Sequence, residues 1–374
     1  MISRLRIERF KCYRDESLAL RQLTVLAGVN GGGKSTVLQA ILLLRDAAYR
    51  GRASCELNGP FGLDLGEALD VLHHEAEPEE GIRLTVDDQS AEYVFDMAVP
   101  TDRSRSLPIK AKPLRAAGDI LGGRGRSFMF LSADRLGPRD VYEATTLDPE
   151  DLNVGCRGEA VAQVLVQADR MIVANELAHP STDEIGAQRT VFSQTELWLS
   201  EIVRPIQIEA KWIPGTSVVT LRFRESGFQG EWTRPANTGF GLTSVLPVVV
   251  AGLTVAQGGM LVVENPEVHL HPRGQSEVGA FLARIAASGA QVLVETHSDH
   301  VLNGIRRAVA CDHILPADKV LVHFFGTPEK PGGGRPSIES LDLKTNGDIS
   351  TWPRRFFDQM EDDLATLARS RRPR

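Results

Sequence analysis

Cysteine is scarce in this 374-residue sequence, which contains four, none of them in a Cys-x-x-Cys pair: Cys12, Cys55, Cys156 and Cys311. Their separation indicates reduced thiols rather than a disulfide framework. A long apolar run is also missing, because the most apolar stretch, residues 245–263, is interrupted by Pro247 and by glycines. That stretch is too broken to cross a bilayer, and the first ten residues lack the apolar block of a signal peptide. We therefore expect a cytoplasmic protein without a membrane segment.

An excess of positive charge is absent as well. The chain has 42 Lys and Arg against 49 Asp and Glu, so no global basic field indicates nucleic-acid binding. One local segment concentrates basic residues: Lys110, Lys112, Arg115, Arg124 and Arg126. A solvated loop explains this segment most simply, and a loop that contacts DNA phosphates is the alternative.

Sustained heptads and internal repeats are likewise lacking, so we expect no long coiled coil. Strand and helix patterns follow each other, which predicts an α/β fold. We predict one large domain over residues 1–326, with an antiparallel β-rich insertion at about 53–127 and a helical insertion at about 145–205. A small C-terminal module with a basic tail would occupy residues 327–374. Within the helical insertion, Ser193-Gln-Thr-Glu has the spacing of a capping box at a helix start.

A glycine-rich loop lies between a predicted strand and an apolar helix pattern. Residues 28–36 satisfy the Walker A pattern Gly-x4-Gly-Lys-Ser in full. Backbone N–H groups of such a loop hold phosphate oxygens, and the following helix directs its positive N-terminal dipole at the same anion. Lys34 would reach the β- and γ-phosphates, and the Ser35 hydroxyl would bind Mg²⁺. The predicted nucleotide-binding residues are Gly28, Asn30, Gly31, Gly32, Gly33, Lys34, Ser35 and Thr36.

A second element of this site is predicted at residues 260–264, where four apolar residues end in an acid, Met-Leu-Val-Val-Glu. A buried strand that ends in a carboxylate is the Walker B arrangement, in which the acid holds the magnesium ion. We therefore predict that Glu264 binds the metal together with Ser35. The sequence predicts a P-loop protein with ATP and Mg²⁺ as cofactors.

Several motifs, taken in order, resemble one protein family. They are residues 7–13, Ile-Glu-Arg-Phe-Lys-Cys-Tyr, the Walker A loop, residues 264–272, Glu-Asn-Pro-Glu-Val-His-Leu-His-Pro, and residues 295–299, Glu-Thr-His-Ser-Asp. Together they are similar to the ABC-type ATPases related to RecF, the SMC proteins and the OLD (overcoming lysogenization defect) nucleases. The resemblance extends to about residue 309 and implies an ABC-ATPase-like core. Residues 347–358 resemble a short domain of unknown function that ends a stand-alone prokaryotic subgroup.

The resemblance also implies roles for individual residues. His297 would be the switch histidine that contacts the γ-phosphate. Residues 237–244, the signature segment, would stand in the place of the ABC signature through Asn237, Gly239 and Gly241, although they do not read Leu-Ser-Gly-Gly-Gln. In the family this segment completes the nucleotide site of a second chain, which implies a homodimer around two ATP molecules. Stand-alone relatives imply a separate effector, a nuclease or a toxin, in defence against phage.

The catalytic position departs from the family pattern. Asn265 stands where a catalytic Glu follows the Walker B acid, and Glu264 replaces the usual Asp. An amide cannot act as a general base, and losing that group removes a factor of about 10²–10⁴ from a rate. Glu264, Glu267 and His297 remain the candidate catalytic residues. We expect slow, regulated ATP hydrolysis, and a scaffold that binds ATP without turnover is the alternative.

Other functions compete with this interpretation. A RecF-like DNA-repair ATPase would act on DNA directly, whereas a transporter subunit is disfavoured by the missing signature. Glu267, His269, His271 and His297 are zinc-ligand types, but the histidines fit nucleotide-site loops better. OLD-type relatives carry a TOPRIM nuclease domain, and the roughly 65 residues after the core are too few for one at typical domain sizes. We therefore expect no nucleic-acid chemistry from this chain.

Overall fold

The computed structural model describes residues 1–49, 53–88, 90–113, 121–227, 230–326 and 337–353, with residues 363, 364, 366, 367 and 369. Its strands are β1 Ile2–Phe10, β2 Tyr13–Ala19, β3 Leu23–Gly28, β4 Ser54–Glu56, β5 Ile82–Asp88, β6 Glu92–Met97, β7 Ser106–Ala111, β8 Phe128–Leu131, β9 Val141–Glu143, β10 Ile206–Trp212, β11 Val218–Glu225, β12 Met260–Glu264, β13 Gln291–Thr296, β14 Val320–Gly326 and β15 Ser337–Asp342. Its α-helices are α1 Lys34–Tyr49, α2 Val161–Gln167, α3 Val191–Ile202, α4 Phe240–Thr254, α5 Pro272–Ala287 and α6 Asp299–Ala310.

A mostly parallel sheet in the order β15-β14-β3-β13-β12-β8 forms the centre of the fold. The strands from β14 to β8 run parallel, and only β15 is antiparallel to its neighbour. These strands read as continuous apolar runs because both faces of the sheet are covered. Val263 and Val292 belong to the core formed with α2–α6, whereas Val262 and Leu293 belong to the core around α1. The predicted α/β class is confirmed.

A second sheet, β2-β1-β5-β6-β7-β4, is antiparallel and closes over the other side of α1. Within the predicted antiparallel β-rich insertion, β5 and β6 form a hairpin in which Leu84 pairs with Phe95 and Ile82 with Met97, all of them buried. The β-rich insertion therefore continues a sheet that the first strand of the chain begins, because β1 pairs with both β2 and β5. This arrangement leaves α1 enclosed between the two sheets.

The helical insertion packs against a small sheet in the order β10-β11-β9. The predicted capping box at Ser193 is wrong, because α3 begins at Val191 and Thr190 is its N-cap. The Thr190 hydroxyl accepts a hydrogen bond from the Ser193 backbone N–H at 3.2 Å. The Glu196 carboxylate instead accepts from the backbone N–H of Ile208 at 2.7 Å, which joins α3 to β10. Thr190 therefore supplies an acceptor for the free N–H groups of the first turn, without a reciprocal contact from Glu196.

Residues after 336 contribute to the central sheet, since β15 pairs along the length of β14 from Ser337 to Asp342. Most of the predicted C-terminal module beyond residue 353 lies outside the described residues, so the limits of that module stay a prediction. In the part of the chain that the structure describes, no helix combines the length and apolarity needed to cross a membrane.

Helices α5 and α6 approach each other closely through two glycines. A Cβ on Gly304 would lie 1.9 Å from the backbone oxygen of Ser276, and one on Gly279 would lie 2.2 Å from that of Val301. We expect Gly304→Ala to lower the free energy of unfolding by about 1–3 kcal/mol, because overpacking exceeds the gain in helix propensity. Urea unfolding measures this loss. Gly326→Ala, whose Cβ would meet only ordinary contacts, is the control; an equal loss in both variants would contradict the prediction.

Candidate nucleotide-binding site

The Walker A loop, residues 28–36, leaves the central sheet at the end of β3 and enters α1. Gly28 has a φ of 136°, and a Cβ there would lie 2.2 Å from the backbone oxygen of Phe325 on β14. Gly33 has a φ of 97°, and a Cβ there would lie 2.3 Å from the hydroxyl oxygen of Tyr13. Only glycine satisfies both the backbone angle and the space at these positions. The Val29 N–H donates to the Phe325 carbonyl at 2.9 Å, which fixes the loop on the sheet edge.

Lys34 is buried within the curve of this loop. Its ammonium group donates to the carbonyl oxygens of Gly28 at 3.1 Å and Val29 at 2.8 Å. Burial lowers the pKa of Lys34, and the nearby Glu295 carboxylate opposes that shift. The loop carbonyls therefore hold a cation beside the N-terminus of α1, at the place where the Walker A pattern puts phosphate oxygens.

A cavity of about 450 Å³ opens beside the loop. It is lined by Lys11, Cys12, Asn30, Gly31, Gly32, Gly33, Lys34, Ser35, Thr36, Asn265, Glu295 and His297. The predicted loop residues from Asn30 to Thr36 line it, whereas Gly28 lies behind them against β14. Of the lining residues, Lys11, Cys12 and Glu295 had no predicted role in binding. Lys11 and Cys12 belong to the opening motif, whose position next to the loop depends on the pairing of β1 with β2.

Glu295, rather than Glu264, faces the Ser35 side chain. The Ser35 hydroxyl donates toward both carboxylate oxygens of Glu295, at 3.3 Å each, and the Lys34 ammonium lies 4.0 Å away. Burial raises the pKa of Glu295 to about 7, with a further increase from the neighbouring Glu264. Glu264 and Glu295 are cross-strand partners at the ends of β12 and β13. The two acids thus end adjacent strands at one edge of the sheet.

The Glu264 carboxylate is engaged by the segment that follows β8. Its Oε2 accepts from the Ala133 backbone N–H at 2.9 Å. Arg135, from the same segment, is buried and donates to the carbonyl oxygen of Glu264 at 2.7 Å and to that of Asn265. Burial lowers the pKa of Arg135 to about 10. The Arg135 guanidinium therefore joins the segment after β8 to the end of β12.

The turn after β12 contains Asn265 and brings two candidate catalytic residues, Glu267 and His297, together. Asn265 has a φ of 43°, a left-handed conformation that asparagine tolerates better than most residues. The backbone N–H of His297 donates to Glu267 Oε1 at 2.9 Å. Asn265 Oδ1 and Glu267 Oε2 are buried and have no hydrogen-bond partner among the described residues. Burial raises the pKa of Glu267 and lowers the pKa of His297.

The signature segment lies apart from the cavity, since Asn237, Gly239 and Gly241 do not line it. Gly239 is the N-cap of α4 and supplies no side-chain cap for the free N–H groups of that helix. The first helical residue, Phe240, is 55% exposed. Its ring packs against the His269 ring, with 5.2 Å between the two ring centroids. An uncapped helix N-terminus therefore faces outward beside an exposed aromatic ring.

Three stretches of the chain match known protein families. Residues 1–94 match "AAA ATPase domain", and residues 156–303 match "AAA domain, putative AbiEii toxin, Type IV TA system". Residues 315–367 match "Protein of unknown function (DUF3696)". A curated relative, the OLD nuclease of Thermus scotoductus, is 23% identical over 331 residues, or 80% of this chain. The matched region spans 59% of that nuclease.

Solved SMC heads have a similar fold. The SmcHead bound to the C-winged helix domain of ScpA superposes with a TM-score of 0.53 at 13% identity, covering 92% of this chain and 98% of that one. A Pyrococcus furiosus Smc head domain with an extended coiled coil, bound to the C-terminal domain of ScpA, gives 0.52 at 14% identity and covers 99% of each chain. The chain is similar to the ABC-type ATPases related to RecF, SMC and OLD proteins. Its fold is the P-loop fold of that family, as the sequence motifs predicted.

The residues of two alternative sites, for zinc and for DNA phosphates, lie mostly within the described part of the chain. Among the described residues, no three His, Cys, Asp or Glu side chains are grouped to hold a metal ion. In the basic segment, Arg124 pairs with Asp151 at 2.7 Å, and Arg126 donates to the Leu152 carbonyl at 3.1 Å. Arg115 lies outside the described residues. The side chains of Arg124 and Arg126 thus both make contacts within the chain.

Proposed function

We propose that this ATPase binds ATP with Mg²⁺ in the cavity beside residues 28–36 and hydrolyses it slowly. The observation that carries the proposal is the convergence of the glycine loop, Lys34 and Ser35 on one cavity that also contains a carboxylate. Hydroxyl and carboxylate oxygens are the donors that Mg²⁺ prefers, and protein sites usually supply few of them beside the phosphates. The ion, when bound, neutralises phosphate charge.

Slow hydrolysis follows from the identity of the residue after Glu264. Asn265 lines the cavity but cannot accept a proton. Glu267 is a candidate replacement, because its Oε2 is buried without a hydrogen-bond partner among the described residues and its raised pKa makes it a better base near neutral pH. His297 lines the cavity, and its backbone N–H holds the other oxygen of Glu267. These two residues would orient and deprotonate water less effectively than a glutamate at position 265.

We further propose that two chains enclose two nucleotides. The α4 N-terminus favours an anion because its N–H groups are free and its dipole is positive there. It does not line the cavity of its own chain, so a phosphate bound by a second chain would be its natural ligand. The exposed Phe240 would become buried in such a dimer.

A mixing experiment tests this arrangement. Lys34→Ala disables the Walker A loop, and Gly239→Asp puts a negative charge at the signature segment. A Cβ there meets nothing within 4 Å, although the φ of 88° adds backbone strain. We expect each variant alone to lack ATPase activity and a mixture to recover activity, because the mixed dimer contains one site with both elements intact. Phosphate release and oligomeric mass, measured with and without MgATP, report the result. A mixture as inactive as its components would contradict completion by a second chain, and turnover of tens per second by the unmodified protein would contradict slow hydrolysis.

We propose that the nucleotide state controls a separate effector, a nuclease or a toxin, in defence against phage. The support is the similarity to an OLD nuclease and to a domain family described with a toxin. A dimer assembled by ATP is a two-state element that a partner could sense. Expression of the gene with its native neighbours should reduce phage plaque counts, and Lys34→Ala should abolish the reduction. Equal plaque counts with and without the intact gene would contradict this role.

A further inference from the structure

Glu295 is a buried acid in the interior of the central sheet. It is 5% exposed and lies near the end of β13, between the Walker A strand β3 and the Walker B strand β12. Placing a carboxylate in such a position is costly unless polar partners compensate. Its partners in the protein are the Ser35 hydroxyl, at 3.3 Å from both oxygens, and the Lys34 ammonium at 4.0 Å. Both belong to the Walker A loop.

Glu264 has different surroundings, although it ends the adjacent strand. Its Oε2 accepts a hydrogen bond from the Ala133 backbone N–H at 2.9 Å. The segment that follows β8 supplies this contact, and Arg135 of that segment donates to the Glu264 carbonyl. Glu264 does not line the cavity, whereas Glu295 does. Glu264 therefore makes a structural contact, whereas Glu295 faces the cavity.

The backbone makes this division rigid. The Asn265 N–H donates to the Glu295 carbonyl at 2.8 Å, and Glu264 and Glu295 are paired in the parallel ladder. An exchange of roles would require the Glu264 side chain to leave Ala133 and pass across Glu295. Glu295 already has both oxygens directed at the hydroxyl that the Walker A pattern assigns to magnesium.

We propose that Glu295 is the carboxylate that faces the magnesium ion of bound MgATP opposite Ser35, and that Glu264 stabilises the segment after β8. This inference rests on the proposed binding of MgATP. The Ser35 hydroxyl and a Glu295 oxygen would both be donors to the ion. The Lys34 ammonium would be a donor to the phosphates.

Metal affinity, rather than activity, tests the assignment. The full chain is saturated with a non-hydrolysable ATP analogue, and Mn²⁺ binding is measured by electron paramagnetic resonance for the unmodified protein, Glu295→Gln and Glu264→Gln. Because loss of one site residue typically costs about 10–100-fold in metal affinity, we expect a decrease of that size for Glu295→Gln and a decrease of less than about threefold for Glu264→Gln. Analogue affinity in EDTA should not fall in Glu295→Gln, since the substitution removes negative charge near the phosphates.

The outcomes separate the two proposals. If the unmodified protein does not bind the analogue with Mg²⁺, the proposed function fails. If it binds and Glu264→Gln loses more Mn²⁺ affinity than Glu295→Gln, only the assignment of Glu295 is overturned. Glu295→Asp keeps the charge but withdraws the carboxylate by one methylene, so it replaces Glu295→Gln if that variant does not fold; unchanged Mn²⁺ affinity in Glu295→Asp would likewise overturn the assignment.

Discussion

Replacing Lys34 with alanine is expected to weaken ATP binding by about 10²-fold or more and to remove ATP-dependent dimerisation. The ammonium group is buried, and the Gly28 and Val29 carbonyls hold it beside the cavity. A hydrogen bond to a charged group is worth about 1.5–3 kcal/mol, and each 1.4 kcal/mol corresponds to a factor of ten in affinity, so losing two such bonds to phosphate gives about this factor. Dimerisation fails with it, because the proposed contact of α4 requires the bound phosphates.

Fluorescent-nucleotide titration and mass photometry measure the two effects. Lys319→Ala is the matched control, since that lysine is half exposed and pairs only with the adjacent Asp318 within the described residues. Thermal unfolding checks that Lys34→Ala retains the fold although Glu295 loses its nearby cation. Retention of full ATP affinity by a folded Lys34→Ala protein would contradict the assignment of the cavity to nucleotide.

The substitution Asn265→Glu is expected to accelerate hydrolysis by about 10²-fold, at the lower end of what a general base contributes. Asn265 lines the cavity directly after the Walker B strand, and its Oδ1 is buried with no hydrogen-bond partner in the part of the chain that the structure describes. A carboxylate at this place could accept the proton of attacking water. The lower end is expected because the residue has a φ of 43°, where a glutamate costs roughly 1–2 kcal/mol.

Single-turnover phosphate release measures this acceleration without interference from product release. In Asn265→Gln the new side chain matches that of glutamate in length but has no basic group, so this variant should remain as slow as the unmodified protein. An increase in Asn265→Gln equal to that in Asn265→Glu would show that side-chain length, not basicity, limits the rate. If neither variant is faster, Glu267 already performs the proton transfer.

The Walker A loop could be predicted in detail because its chemistry is local. Strand, glycine loop and helix are consecutive, and the spacing from Gly28 to Ser35 alone specifies a phosphate cradle. The structure places residues 30–36 around one cavity. Gly28 has a different reason for being glycine, namely the approach of Phe325 on β14. That reason involves a residue almost three hundred positions away and could not be read from the loop itself.

The partner of Ser35 could not be predicted from spacing, because it depends on strand order. Glu264 ends an apolar run and carries the Walker B pattern, whereas Glu295 lies within a run that reads as an ordinary buried strand. Insertion of β13 between β3 and β12 puts Glu295 next to the loop and Glu264 one strand farther away. Strand order is decided by long-range packing, which leaves only a weak trace in local sequence.

The capping prediction failed for a related reason. Ser193 and Glu196 have the spacing of a capping box, but Thr190 precedes them and caps α3. The Glu196 carboxylate instead accepts a hydrogen bond from the Ile208 N–H of β10. A local motif was thus overridden by a tertiary contact.

The sequence by itself determined the similarity to ABC-type ATPases, the α/β class and the glycine loop of the Walker A pattern, because each depends on short-range patterns of glycine, apolar residues and charge. The tertiary structure alone decided which acid faces Ser35, how Arg135 holds the end of β12, and that the signature segment faces outward. These features join residues from different strands and helices. Their energies depend on burial and on distances across the sheet, neither of which a linear pattern contains.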